Sequence, residues 1–376
     1  MASLSLRGVS KVYRRVYKAV ENFNLEIDDK EFVVLCDPSG SGKSAILHMI
    51  AGVESVTSGE ILMDGRSIGD LPAKQRDVAL VSHFRALNSF QTIRKNIESG
   101  LKGLPLSAQE IARRVDDTAQ ALELTELMDR KPKTLSSGEK QRVELARGLV
   151  RNPKVVLLDN PLANLDTRAR ARLRSMIRRL HESMQATFVL VTNDYRAAMT
   201  MGTRVIVMKD GKIQQSDTPQ NLYDFPENRF VASFVGDPEM NLFRVKLEAV
   251  PGEGVYAVFG ENRIHIPSGK LQRFISDAYI GKEVYMGIRP ENLHDEAAFL
   301  SVAEEDTTLE VTVEHVELLG SQTMLYLTAA GLEQPLIAQV YPRSTARQGE
   351  RITIGFDTNR LHFFDAETEK TILMRM

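Results

Sequence analysis

The sequence predicts an α/β domain followed by a small all-β domain, and three observations carry that expectation. Short, almost wholly apolar runs at Glu31–Cys36, Lys154–Asp159 and Thr187–Thr192 alternate with amphipathic stretches, as buried strands of a partly parallel sheet do. The first run leads directly into Asp37-Pro-Ser-Gly-Ser-Gly-Lys-Ser44, a glycine-rich turn placed between a strand and a helix. From about Leu242 the pattern changes to short strand-like runs separated by turn residues.

Taken in order, the segment after the turn, Ala45–Gly52, reads as a helix closed by its glycine. The runs ending at Asp159 and Thr192 finish in polar residues, and ligands in open α/β sheets gather at the carboxyl ends of strands. Leu106–Leu127 is expected to be helical. Ser107 and Glu110 have capping-box spacing, and Ile111, Val115, Ala119 and Leu122 form one core-facing stripe. Character shifts across Phe234–Asn241. Beyond it Phe243–Leu247, Val255–Phe259, Arg263–Ile266, Lys282–Ile288, Leu309–Val316, Thr323–Thr328 and Arg351–Phe356 suggest a barrel or sandwich. The expected domains are 1–235, with a helical subdomain over about 84–150, and 236–376.

Bulk properties narrow the class. Forty-eight Lys and Arg against 50 Asp and Glu argue against a general nucleic-acid or acidic-membrane binder. The single cysteine, Cys36, excludes an intramolecular disulfide framework and a thiolate-rich metal site, and fits a reducing cytoplasm. The start lacks a charged segment followed by an apolar one, and apolar runs fall far short of the roughly 20 residues of a membrane span. A role at a membrane is therefore expected to run through another chain.

The turn almost matches the phosphate loop G-x-x-x-x-G-K-[ST]. Gly40 and Gly42 can turn backbone N–H groups toward phosphate oxygens, Lys43 would reach the β- and γ-phosphates, and the Ser44 hydroxyl would bind Mg²⁺. Pro38, Ser39, Ser41 and Ala45 complete the candidate nucleotide-binding set, with the helix aiming its positive end at the anion. Asp37, however, stands at the first glycine and brings a carboxylate near phosphate.

Downstream, Thr134-Leu-Ser-Ser-Gly-Glu-Lys-Gln-Arg-Val143 precedes Val155-Val-Leu-Leu-Asp-Asn160. With these motifs the chain resembles the ATP-binding subunits of ATP-binding cassette (ABC) transporters, most of all the maltose and glycerol-phosphate type of sugar importer. The resemblance extends over essentially the whole chain, through Lys11-Val-Tyr13, Ala198–Thr203, Gln215–Tyr223 and Gly287-Ile-Arg-Pro-Glu291. It implies a P-loop ABC-type nucleotide-binding domain and an OB-like all-β domain that regulates or dimerises. It also implies ATP and Mg²⁺ as cofactors, a homodimer or heterodimer sandwiching nucleotide, transmembrane permease subunits as partners, and a peripheral place on the inner face of the cell membrane. By the same resemblance, Tyr13 stacks on adenine and Asp159 holds Mg²⁺, directly or through water, with Ser44. Leu135, Ser136, Ser137, Gly138 and Glu139 form the signature that contacts the opposite subunit's nucleotide. Asn164, Leu165 and Asp166 lie in the loop at the dimer interface.

The chemistry of this family is altered at six positions. Asn160 stands where the general-base glutamate belongs, and Asn193 where the switch histidine belongs. His83, after Ser82, replaces the glutamine that senses metal and water. Asp37, Ser137 and Glu139 change the phosphate loop and the signature. The expected function is a nucleotide-binding subunit of an importer for sugars or related solutes, with impaired hydrolysis of its own. The alternative is an inactive pseudo-ATPase acting as a regulatory or scaffold partner. His48 and His181 read as solvated or core histidines, and Gly287–Glu291 equally as a structural turn or a sensing segment.

Overall fold

The computed structural model describes residues 2–14, 17–38, 42–82 and 87–375. It divides into two compact units, Met1–Gln220 and Asn221–Met376.

In the first unit the strands are β1 (Leu4–Tyr13), β2 (Tyr17–Ile27), β3 (Phe32–Cys36), β4 (Ser58–Met63), β5 (Arg66–Ser67), β6 (Val78–Ser82), β7 (Val155–Asp159), β8 (Thr187–Thr192), β9 (Arg204–Lys209) and β10 (Lys212–Asp217). The helices are α1 (Lys43–Ala51), α2 (Ile93–Glu98), α3 (Ala108–Ala121), α4 (Ser137–Leu149), α5 (Thr167–Met184) and α6 (Tyr195–Met201). An antiparallel sheet runs β2-β1-β4-β5, and a second sheet runs β10-β9-β3-β8-β7-β6. In the second sheet β9, β3, β8, β7 and β6 are parallel and only β10 is antiparallel. β3, β7 and β8 are buried at every residue, which is why they read as continuous apolar runs.

α1 lies within the main core, where its Ile46, Leu47 and Ile50 join Leu35, Leu157 and Val189 of the parallel sheet and Leu4, Leu6 and Phe23 of the antiparallel one. Its start requires glycine. Gly42 has φ +82, and a Cβ there would stand 2.2 Å from the Ala19 carbonyl oxygen. At its end Arg76, 5% exposed, donates to the carbonyls of Met49 (2.7 Å) and Ile50 (3.1 Å), satisfying acceptors the helix leaves open.

The helix expected over Leu106–Leu127 is shorter, running from Ala108 to Ala121. Ser107 caps it by accepting from the Glu110 amide at 3.1 Å. The Glu110 carboxylate turns instead to Arg113 and Arg114, so the reciprocal half of the capping box is not made. Val115, Ala119 and Leu122 are buried as the stripe requires.

Helix α7 (Pro219–Asp224) begins two residues before the division, and the second unit continues with α8 (Arg229–Phe234) and two antiparallel five-stranded sheets. Its strands are β11 (Asn241–Val250), β12 (Gly254–Phe259), β13 (Asn262–Ile266), β14 (Glu283–Ile288), β15 (Leu293–His294), β16 (Thr308–Leu318), β17 (Thr323–Thr328), β18 (Leu336–Val340), β19 (Arg351–Phe356) and β20 (His362–Asp365). The sheets run β13-β12-β11-β14-β20 and β15-β19-β16-β17-β18 and share one apolar core. Sequence patterning places a boundary after residue 235, whereas the compact units divide at Gln220/Asn221. Arg289 supplies a physical reason. Only 2% exposed, it donates to the carbonyls of Val235 (2.6 Å) and Tyr223 (2.7 Å) and lies over the Tyr223 ring. Glu291 accepts from the Tyr223 hydroxyl. The segment Gly287–Glu291 thus pins residues 221–235 to the β-rich unit, a structural role.

Candidate nucleotide site

The parallel register lines up the carboxyl ends of four strands. Cys36 pairs with Thr192, Asp159 with Val191 and Ser82 with Asp159. The residues that follow, Asp37, Asn160 and Asn193, are thereby brought to one edge of the sheet, where ligands of such folds bind. Ser39, Gly40, Ser41 and His83 lie outside the described residues.

Asp37 is fully buried, and its carboxylate pairs with the ammonium of Lys43, itself 5% exposed. Burial pushes Lys43 down to about 8, against the pull of the Cys36 thiol and the Asp159 carboxylate, so it stays charged at neutral pH. A carboxylate at the first position of the loop therefore holds the very lysine that phosphate would need. Pro38 is exposed beside it, and Ala45 is buried in α1. Burial pushes the Cys36 thiol up to about 12, which makes it a packing residue rather than a nucleophile.

Asp159, 2% exposed, accepts from the Ser44 hydroxyl at 3.0 Å through Oδ1. Its buried Oδ2 makes no hydrogen bond among the described residues and lies 3.7 Å from His48 Nε2. A hydroxyl and a carboxylate with an unused oxygen are the hard donors that Mg²⁺ takes, so these two residues fit that ion. His48 was not legible as part of the site. Its helical position is ordinary, and only the fold brings it between Asp159 and Glu54, whose Oε1 is 3.2 Å from Nδ1. His181 packs on Phe32 and Phe188, with Nε2 2.9 Å from the Lys30 carbonyl oxygen.

Asn160 takes φ +48, a conformation that asparagine tolerates. Its amide donates to the Val191 carbonyl at 2.9 Å, which seats it beside the end of β8. Asn193, exposed, follows Thr192 on that strand. Neither side chain can take up a proton at neutral pH. Tyr13 is half-buried and donates its hydroxyl to Glu54. Burial and then the Glu54 contact push that hydroxyl's ionisation well above the usual tyrosine range. Burial pushes Glu54 up, but hydrogen bonds from Tyr13, His48 and Lys11 outweigh it and hold its carboxyl low. The Tyr13 ring lies near Tyr17, centroids 6.5 Å apart, and 5.1 Å from the Lys11 ammonium.

At the signature, Leu135 is buried and Ser136 caps α4. The Glu139 amide donates to Ser136 Oγ (3.3 Å), and the Ser136 amide (2.8 Å) and hydroxyl (2.9 Å) donate to the Glu139 carboxylate. These bonds, led by that from the backbone, hold Glu139 below the usual carboxylate range. Ser137 and Gly138 form the first turn, and a Cβ on Gly138 would come within 3.3 Å of the Ala169 Cβ. In the adjoining loop Asn164 has φ +58 and is exposed, and Leu165 is buried. Asp166 caps α5 by accepting from the Ala169 amide at 2.9 Å.

A strand, glycine turn and helix at the carboxyl edge of a parallel sheet, beside a strand ending in a buried aspartate, define a phosphate-loop nucleotide-binding protein. Within that class the chain belongs to the family of ABC transporter ATP-binding proteins. The ABC transporter family model matches residues 20–163, the MalK OB fold domain 236–293 and the TOBE domain 286–364. The chain is 42% identical to the oligosaccharides import ATP-binding protein MsmX of Bacillus subtilis, over 99% of this chain and 100% of that protein. It is 38% identical to the multiple sugar-binding transport ATP-binding protein MsmK of Streptococcus mutans, with the same coverage. Among solved structures, the dimeric post-hydrolysis state of the ATP-binding cassette MJ0796 bound to ADP and Pi is 30% identical. It covers 57% of this chain and 98% of that one, with a TM-score of 0.52. Among the described residues no helix is long and apolar enough to cross a membrane.

Proposed function

We propose that the chain is the nucleotide-binding subunit of an importer for oligosaccharides or related sugars, binding ATP with Mg²⁺ but hydrolysing it poorly at its own site. The sugar class rests on the relatives' names. Permease partners, a dimer of cassettes and a peripheral position at the membrane rest on the same kinship, as does a regulatory or dimerising role for the β-rich unit. The observation that carries impaired hydrolysis is the edge of the sheet itself. Ser44 and Asp159 retain the donors for Mg²⁺, while Asn160 and Asn193, at the ends of β7 and β8, offer no group that can accept a proton.

On this reading Lys43 and the α1 amino end bind phosphate, Ser44 and Asp159 hold Mg²⁺, and the metal neutralises charge on the phosphates. Tyr13 offers its ring to adenine, and the segment from Leu135 to Glu139 faces the partner's nucleotide. The test is Asn160→Glu in the full chain with its permease subunits. General-base catalysis contributes about 10²–10⁴-fold, so turnover should rise by at least about tenfold. Wild-type turnover already at the level of an intact cassette, unchanged by the substitution, would sink the proposal.

A second reading, a regulatory or scaffold pseudo-ATPase, is favoured by the Asp37–Lys43 pair, which competes with phosphate for the lysine. Titration with a fluorescent ATP analogue separates the two, since saturable binding that needs Mg²⁺ supports the first and its absence the second.

A further inference from the structure

We propose that the β-rich unit carries a binding site for a divalent transition metal of the zinc class, formed by His265, Glu304 and Asp306. The ligating atoms of these residues lie within 4.8 Å of one another. A tetrahedral ion bonded to each at about 2.0–2.2 Å would hold them about 3.4 Å apart, so the side chains must turn inward to close the set, and exposed Glu304 is the one with room to do so.

Three observations bear on these donors, the buried Asp306 oxygen most of all. Asp306 Oδ1 is buried and accepts no hydrogen bond among the described residues, an expensive state for a carboxylate oxygen. The His265 ring nitrogens and the Glu304 carboxylate likewise make no hydrogen bond or ion pair among the described residues. Gly254, with φ +125, packs its backbone close beside the imidazole, where a larger residue would collide with the ring. A Cβ there would stand 2.9 Å from His265 Nε2.

Neighbouring groups orient these donors, as hydrogen-bond partners behind metal ligands do. Tyr256 pairs with His265 across β12 and β13, ring centroids 5.3 Å apart. Its hydroxyl donates to Asp306 Oδ2 at 3.1 Å, leaving Oδ1 for the ion. The backbone carbonyl of Glu304 accepts from the Thr307 amide (2.9 Å) and hydroxyl (2.8 Å), fixing the turn that carries both acids. One imidazole and two carboxylates suit a borderline ion better than Mg²⁺, which prefers oxygen alone, and three protein ligands leave a coordination position for water. His265 lies on β13 of one sheet, while Glu304 and Asp306 lie in the segment entering β16 of the other. The bound ion would tie the two sheets together.

The experiment is calorimetric titration of the EDTA-treated full chain with ZnCl₂ in excess Mg²⁺, which competes for the oxygen donors Ser44 and Asp159. One zinc equivalent is expected. Glu304→Gln, an exposed change that leaves the core intact, and His265→Gln should each weaken it at least about tenfold, the scale of losses seen even for groups that only hold a metal ligand in place. Zinc should also raise the melting temperature of the wild type and not of His265→Gln. Co²⁺ should give visible d–d absorption that His265→Gln removes. Absence of zinc binding, equal affinity in both variants, or loss in His48→Gln instead would overturn the site.

Discussion

The phosphate loop and the signature have each received an acid, yet the two carboxylates behave differently. Asp37 is fully buried and paired with a buried lysine, whereas Glu139 is only half-buried, closing a capping box with Ser136. A buried carboxylate must have its counter-charge, so the substitution at 37 makes Lys43 structural as well as functional. A half-buried carboxylate at a helix amino end is stabilised by local amides and the helix dipole, and ties up only its neighbour. Burial, more than charge, decides how far a substitution reaches.

The largest test of this contrast is Lys43→Ala. Breaking a buried ion pair from one side costs about 3–5 kcal/mol, so the variant should unfold at markedly lower denaturant, and Asp37→Gly added to it should recover most of the loss. A melting curve unmoved by Lys43→Ala breaks the comparison. Asp37→Gly alone should raise nucleotide affinity about tenfold or more, since removing one like charge near phosphate is worth about 1–4 kcal/mol at surface-to-intermediate dielectric. Equilibrium titration checks this, and unchanged affinity would remove Asp37 from the account of weak binding. At the signature, Ser136→Ala should cost about 1 kcal/mol of stability as a lost cap. Glu139→Gln should cost only about 0.5 kcal/mol or less, because glutamine can still complete the capping box.

A smaller effect lies further along α4. Burial raises the Glu144 carboxyl to about 7, opposed by Arg147. Its proton is held more tightly folded than unfolded, so stability is full below the ordinary glutamate range and is lost as pH rises toward 7. Glu144→Gln should therefore gain about 1 kcal/mol at pH 8, after allowing for partial solvent screening, and nothing at pH 4. Urea unfolding at the two pH values measures it, and an equal gain at both would exclude titration as the cause.

Of the parallel strands, β3, β7 and β8 were legible because burial on both faces writes them as unbroken apolar runs, whereas β6 and β9, toward the sides of the sheet, were not. β1 and β2 were not, because irregular pairing and one exposed face break their alternation. β18 and β20 are short runs that lack a distinct period. In the site, residue type and spacing pointed to Lys43 and Ser44, and the family resemblance to Asp159 and the two asparagines. Neither revealed the pairing of Asp37 with Lys43, the approach of His48 to Asp159, or the Ser136 hydroxyl turned to Glu139.

The order of residues by itself determined the phosphate-loop class and the α/β then all-β order, because these depend on residue type and spacing. The tertiary structure alone decided which charges are buried, which donors meet and where the units divide. Those depend on the dielectric around a side chain and on neighbours far apart in the chain. So it is the fold that turns Asp37 into a partner for Lys43 and brings His265, Glu304 and Asp306 together.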